Sequence, residues 1–195
     1  MQNEESFAIN KDSTYSQKTN MLKLRPLILT AIFIVATSAV FAQNLTPVAY
    51  VKAFYVFDGA HSRTFDRSAI DARKKWFSAR LYRLFQNELK REKAYLKMNP
   101  NDMPYYGDGL PFRPFYETCE IAGKFRDREM TVKPKSQDKA TATVRVIFAF
   151  PSGCADSDAI EYTFELAKVS SVWLIENVIF SEGSNLIDEL ERKNY

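Results

Sequence analysis

The chain is short of the residues that most catalytic and metal sites are built from. Its 195 residues include one histidine, His61, and two cysteines, Cys119 and Cys154, which match no zinc spacing. A metal centre is therefore not expected, and nucleophilic catalysis through a histidine base has one candidate base at most. Glycine is scarce, with six residues, and none lies in a phosphate-loop pattern, so no cofactor is expected. Charge of one sign is also lacking. The 27 basic and 24 acidic residues leave a net charge of +3, too small and too dispersed to mark a nucleic-acid-binding protein. No internal repeat or linker divides the chain. What is abundant is apolar surface. Hydrophobic residues make up 46% and aromatic residues 14%, enough for one ordinary domain with a packed interior.

Residues 23–42, KLRPLILTAIFIVATSAVFA, read as a signal peptide. Lys23 and Arg25 form a positive start, Leu27 to Val35 an apolar core, and Val40-Phe41-Ala42 a small-residue end that a signal peptidase reads. The apolar stretch is short for a membrane span. Residues 1–20 are polar and foreign to such a leader. The expected organisation is a non-translated or disordered extension over 1–20, a signal peptide over 21–42 with Met21 as the start, and a single domain over 43–195. That domain is expected in the periplasm or outside the cell, not membrane-anchored after cleavage.

Beyond Gln43 the order is helices first and strands second. PVAYVKAFYVF (Pro47 to Phe57) predicts a helix opened by Thr46 as N-cap, with Pro47 at its first position. It is apolar around most of its circumference, which predicts burial. Arg67 to Met98 predicts a long helical segment, in one or two pieces. Phe77, Leu81, Leu84, Phe85 and Leu89 form its apolar stripe. Arg80, Arg83, Asn87, Lys90 and Arg91, interleaved with Glu88 and Glu92, cover the other face; a basic stripe can bind an anionic partner, but this one reads as a solvated face. Asn99-Pro100 stops the helix, and the proline-rich stretch 99–115, NPNDMPYYGDGLPFRPF, reads as a long loop of the kind that carries function. Four strands are expected after it, at Tyr116–Phe125, Thr141–Phe150, Ile160–Leu166 and Val172–Phe180. SEGSN (181–185) reads as a structural turn. Gly183 supplies turn freedom, and Ser184 caps a terminal helix over Asn185–Lys193. The fold class is α+β, with N-terminal helices packed on a curved antiparallel sheet of about four strands and a short C-terminal helix.

A leader, TPVAYVKAFY, a helical stretch, YYGDGLPF and a meander ending in VWLIENVIFSEGSNLIDELE make up a pattern. It resembles the bacterial domain-of-unknown-function family numbered 3828, over about Pro47 to Leu190. Members are secreted and often end in a Trp-containing strand followed by a G-S-x-L helix. That family is similar to the nuclear transport factor 2-like superfamily, so the resemblance implies a sheet wrapped around helices to leave a cone. It carries no settled activity. This chain departs from the family pattern over 99–117.

The candidate sites follow from these readings. A curved sheet covered by helices tends to leave an apolar concavity, and the 99–115 loop is expected near its mouth. Tyr105, Tyr106, Asp108, Phe112 and Phe115 are then the candidate ligand- or partner-binding residues. Asp102 joins Asp108, Tyr105 and Tyr106 as a candidate for acid–base work. His61 could be oriented by Asp58 or Asp66, but a lone loop histidine is more often a surface residue. Asp156 and Asp158 lack the ligand count of a calcium site and read as a hairpin tip. Trp173 reads as core. In an oxidising compartment Cys119 and Cys154 are expected to pair. If strand Tyr116–Phe125 forms a hairpin with Thr141–Phe150, the start of the first lies beside the end of the second.

Two functions are consistent with all this. One is an exported, non-enzymatic module that binds a small apolar ligand or a protein partner, as an inhibitor or immunity protein does. The other is a small-molecule isomerase or hydrolase that uses a carboxylate in the cavity. A buried, unpaired carboxylate with a raised pKa would favour the second.

Overall fold

A computed structural model describes residues 45–114, 118–154 and 158–192. The signal-peptide and extension readings for 1–42 lie outside these residues, as do Phe115 and Asp156.

Helix α1 spans Pro47–Gly59. Thr46 Oγ1 accepts the Ala49 N–H at 3.2 Å, and Pro47 occupies the first turn, where its missing N–H costs nothing. Tyr50, Val51, Phe54 and Tyr55 are buried, but Val56 is 75% exposed, so the helix is covered on one face rather than all round. Helix α2 (Arg67–Arg73) is capped by Asp66, whose Oδ1 accepts the Ala69 N–H at 2.8 Å. A 3₁₀ turn, Lys74–Trp76, leads into Phe77 in extended conformation. Helix α3 (Ala79–Met98) starts afresh with Ser78 as its cap.

The helical segment is therefore in pieces, and the break has a cause. Phe77 bridges Ile175 in parallel fashion, and Ser78 N–H donates to the Ile175 carbonyl at 2.9 Å. The extended residues between the helices cover the edge of the sheet.

The strands form two antiparallel sheets. β1 (Thr118–Ile121) and β2 (Lys124–Asp127) pair only with each other, through an Ala122-Gly123 turn with both φ positive, at 50° and 75°. β3 (Glu129–Gln137), β4 (Thr141–Ala149), β5 (Ile160–Val169) and β6 (Val172–Ile179) form a four-stranded sheet in that order. A short helix α4 (Leu186–Glu191) follows. The architecture is α+β, with a four-stranded antiparallel sheet and a short C-terminal helix.

One strand expectation fails. Tyr116–Phe125 is not the partner of Thr141–Phe150. The described residues from 118 fold into the separate β1–β2 hairpin, and β4 pairs instead with β3, Glu129 opposite Ala149. β3 escaped the sequence reading because EMTVKPKSQ buries only Val132. As an edge strand it carries Lys133, Pro134 and Lys135, residues that discourage further pairing and hide the usual alternation.

The core lies between α1, the Phe77 segment, α3 and the inner face of the sheet. Phe54 sits at its centre. Its ring centroid lies 5.2–6.2 Å from those of Tyr55, Trp76, Phe77, Phe112 and Phe164. Val144, Val146 and Phe164 supply the sheet side, with Tyr162 toward its margin. Trp173 is buried as well.

Cys119 and Cys154 form a disulfide, with Cα atoms 5.8 Å apart. The bond ties the β1–β2 hairpin to the segment after β4. The pairing matches the sequence reading, but the expected β1–β4 register does not produce it. β1 reaches Cys154 from its own hairpin, in which Cys119 stands opposite Arg126.

Candidate functional site

The loop after α3 is held from below by charge. The C-terminal turn of α1 carries Asp58, which is buried. Its Oδ1 accepts from Arg73 Nε at 2.8 Å, and Oδ2 from Arg113 Nε at 3.1 Å. Arg73, on α2, is fully buried and also donates to the Ala69 carbonyl. Arg113, on the loop, also donates to the Tyr55 carbonyl, and the Tyr55 hydroxyl donates to the Phe112 carbonyl at 2.8 Å. One carboxylate thus joins α1, α2 and the loop.

The loop is clamped from the side by Arg63. Its Nη2 donates to the carbonyls of Leu110 and Arg113, at 3.3 and 2.9 Å, and its carbonyl accepts the Leu110 N–H at 2.7 Å. Gly109 permits this approach. Its φ is +110°, and a Cβ there would stand 2.6 Å from the Arg63 carbonyl oxygen. Gly109→Ala is therefore expected to cost about 1–3 kcal/mol of stability, from the strained backbone and the displaced clamp. Urea unfolding measures it, and an unchanged midpoint would show that the clamp gives way freely.

So held, the loop walls a cleft of about 300 Å³. Tyr105, Tyr106, Asp108 and Leu110 come from the loop, with Arg63 and Arg113 at its base. Opposite stand Tyr162 on β5, Phe180 just after β6, Glu182 from the SEGSN turn and Glu189 on α4. The Tyr162 and Phe180 rings meet edge to face, 5.5 Å apart. Burial pushes the Tyr162 hydroxyl up to about 12; Arg63 lowers it and Glu182 raises it, so both charges reach the same ring.

The acidic side has its own geometry. The Ser184 hydroxyl lies 2.9 Å from Glu182 Oε1 and 3.1 Å from Glu189 Oε1. The Tyr106 hydroxyl donates to Glu189 Oε2 at 3.2 Å. Burial holds the Glu189 carboxyl above the usual carboxylate range; the hydrogen bonds from Ser184 and Tyr106 oppose this, and nearby Glu182 adds to it. Arg192 stacks 3.5 Å over the Tyr105 ring while donating to the buried Glu88 at 2.7 Å.

SEGSN is a turn, as expected, but with a different cap. Phe180 N–H donates to the Ser184 carbonyl, Gly183 has φ +89°, and Asn185, not Ser184, caps α4 by accepting the Asp188 N–H at 3.0 Å. The turn also delivers Glu182 to the cleft.

Of the residues chosen from the sequence, Tyr105, Tyr106 and Asp108 line this cleft together. Tyr105 is 52% exposed, whereas Tyr106 is buried, with its N–H donating to Glu92 at 2.7 Å. Phe112 must be withdrawn from the set. It is fully buried, edge-on to Phe54 and beside Phe77 and Phe85, because the loop folds inward there to close the core.

Asp102 is on a second hollow of about 480 Å³, on the other side of Tyr106, where Tyr95 and the Met103 N–H hold it. The Tyr95 hydrogen bond lowers its pKa. His61 stacks on Phe57 at the surface, with Nδ1 2.7 Å from the Phe57 carbonyl. Asp58 and Asp66 are taken up by arginines and by a helix cap, so neither carboxylate orients it. The Asp158 carbonyl accepts from Arg128.

Arg63, Tyr162, Phe180, Glu182 and Glu189 were missed. Arg63 comes from the connection between α1 and α2, and the other four are brought back to the loop only by the meander and the segment after it. The solvated reading of the α3 basic face holds for Arg80, Arg83, Asn87 and Lys90, which are exposed, but not for Arg91 and the two glutamates. Glu88 and Glu92 are buried, Arg91 donates to Glu88 and to the Leu190 carbonyl, and Arg80 pairs with Glu191 at 2.8 Å. α4 packs on that face, and the loop covers Glu92.

No protein-family model matches the chain, and no curated protein matches it.

Proposed function

We propose that the protein is an exported binding module, without catalytic activity, that holds a small ligand in the cleft between the 105–114 loop and the SEGSN turn. The observation that carries this is the convergence of Tyr105, Tyr106, Tyr162 and Phe180 with Arg63, Glu182 and Glu189 on one concave site. Aromatic walls with a few charged groups bind and orient a ligand. The mixed lining favours a ligand with charge as well as apolar surface over a purely apolar one. Export is supported by the disulfide, which persists in oxidising compartments, and no described helix is long and apolar enough to cross a membrane. Helices leading into a four-stranded meander and a short terminal helix support the cone arrangement of the nuclear transport factor 2-like superfamily, and with it the resemblance to family 3828.

The test is a small-molecule library followed by backbone amide shifts of the labelled protein. Binders should shift Tyr105 to Leu110 and Glu182 together. Tyr105→Ala, at an exposed ring, should weaken them several-fold without altering the fold. Binders that shift only residues elsewhere would overturn the proposal. The Glu189 carboxyl, raised by burial, supports the isomerase or hydrolase reading as a second one. It is hydrogen-bonded by Ser184 and Tyr106 rather than unpaired, which is why binding is preferred. Turnover of a bound compound, lost in Glu189→Gln, would reverse that preference.

A further inference from the structure

We infer that the cleft takes a small zwitterion, a free amino acid or a dipeptide, with its carboxylate on Arg63 and Arg113 and its ammonium on Glu182 and Glu189. This rests on the binding reading above and names the ligand class for it.

The two ends of the cleft carry opposite, incompletely met charge. At the base, Arg63 and Arg113 line the cleft, and the Asp58 carboxylate that meets Arg113 already serves the buried Arg73. Arg63 donates to carbonyl oxygens, so its full charge is not met by a carboxylate among the described residues. Its Nε has no partner there either. The bonds of Arg63 and Arg113 run through Nη2 and Nε, which leaves the two Nη1 groups as the donors for an incoming carboxylate.

At the other end, Glu182 and Glu189 both face the one Ser184 hydroxyl. A hydroxyl has a single proton, so it satisfies one of them at a time. Glu189 keeps the Tyr106 hydroxyl in either case, so it is Glu182 that lacks a donor when the Ser184 proton turns to Glu189. An ammonium group has three donors and a positive charge, and it would answer both carboxylates at once. Arg192 also stands at this end, donating to the Glu189 main-chain carbonyl and lowering the Glu189 carboxyl, while its guanidinium is shared with Glu88 and the face of Tyr105.

The middle of the cleft fits the rest of such a molecule. Tyr162 lies within the field of both Arg63 and Glu182, and its ring with that of Phe180 forms an apolar wall between the charged ends. An aromatic wall accepts an apolar side chain and adds cation–π attraction for the ammonium. The volume, about 300 Å³, is at the lower bound for ligand pockets and suits a small molecule. A simple anion would use the arginines but be repelled by the glutamates. A metal ion would want three or more convergent ligands, and no such group of His, Cys, Asp or Glu exists among the described residues.

The experiment titrates the full chain with L-phenylalanine, L-phenylalanylglycine, 3-phenylpropanoate and L-phenylalaninamide, read by heat and by amide shifts. The third probe lacks the ammonium and the fourth lacks the carboxylate. At least one zwitterion should bind roughly tenfold or more tightly than both truncated probes, as expected for a charge-assisted contact at each end. Glu182→Gln, at an exposed side chain, should weaken the zwitterion several-fold and leave 3-phenylpropanoate unchanged or tighter. Equal binding of 3-phenylpropanoate and phenylalanine, with shifts still in the cleft, would overturn the zwitterion and leave the binding module standing. So would the absence of zwitterion binding at millimolar concentration while a library compound occupies the cleft. Zwitterion binding with shifts only elsewhere would overturn both.

Discussion

Replacing Asp58 with alanine is expected to destabilise the protein by about 3–5 kcal/mol, the range for removing one partner of a buried ion pair. The carboxylate is 1% exposed and Arg73 is 0% exposed, 2.7 Å away. Without it, the Arg73 guanidinium keeps the Ala69 carbonyl but has lost its counter-charge in a place water does not reach. Arg113 loses the same anchor, so the cleft wall loosens together with the fold. Asp58→Asn should fall between, since it keeps an acceptor but leaves two cations facing a neutral group. The companion variant Asp58→Ala with Arg73→Met should recover part of the loss, because it removes the stranded charge while filling its volume. A useful contrast is Asp71→Ala, which breaks the exposed Arg67–Asp71 pair, 70% and 42% exposed, and should change stability by less than about 1 kcal/mol. Urea midpoints compare all four. A loss below about 1 kcal/mol for Asp58→Ala would show that water or another group replaces the carboxylate.

Asp58 also illustrates what the sequence could not reveal. In FYVFDGAHSR it reads as the polar end of an apolar helix, and its partners are 15 and 55 residues away. Local chemistry was legible. Thr46 and Pro47 start α1, Asn99-Pro100 stops α3, and the alternation of Val144, Val146 and Phe148 marks β4, because each depends on neighbours within a few residues. Two kinds of feature were not. Edge strand β3 offers little alternation because one row faces water and the other buries only Val132. Buried charges such as Glu88, Glu92 and Arg73 look like surface residues until another element covers them. The loop half of the cleft was found because prolines, glycines and tyrosines cluster there. Its other half, Tyr162 to Glu189, could be found only once the strand order was known.

Breaking the Cys119–Cys154 bond is expected to lower stability by about 2–3 kcal/mol, somewhat less than chain entropy alone gives. Cross-linking residues 35 apart restricts the unfolded chain by roughly 3–4 kcal/mol in that account. The enclosed segment includes β3 and β4, which fold into the main sheet whether or not the bond is present. The β1–β2 hairpin is another matter. Its positions are exposed or half-buried throughout, Phe125 is 73% exposed, and it pairs with no strand of the larger sheet. A two-stranded hairpin of this kind is marginal on its own. Once the bond is cut, the hairpin can fray while the rest stays folded. That fraying returns entropy to the folded state and offsets part of the loss. The consequence is local as well as global. Trypsin should cut reduced protein after Lys124 and Arg126 well before the core strands, and should spare both sites in oxidised protein. Oxidised protein unfolded without reductant should yield almost no free thiol. Urea unfolding of the Cys119→Ser, Cys154→Ser double variant gives the magnitude. A full 4 kcal/mol loss, with the hairpin sites still protected, would mean that the hairpin is docked by contacts of its own. Two free thiols in the untreated protein would mean that the bond does not form.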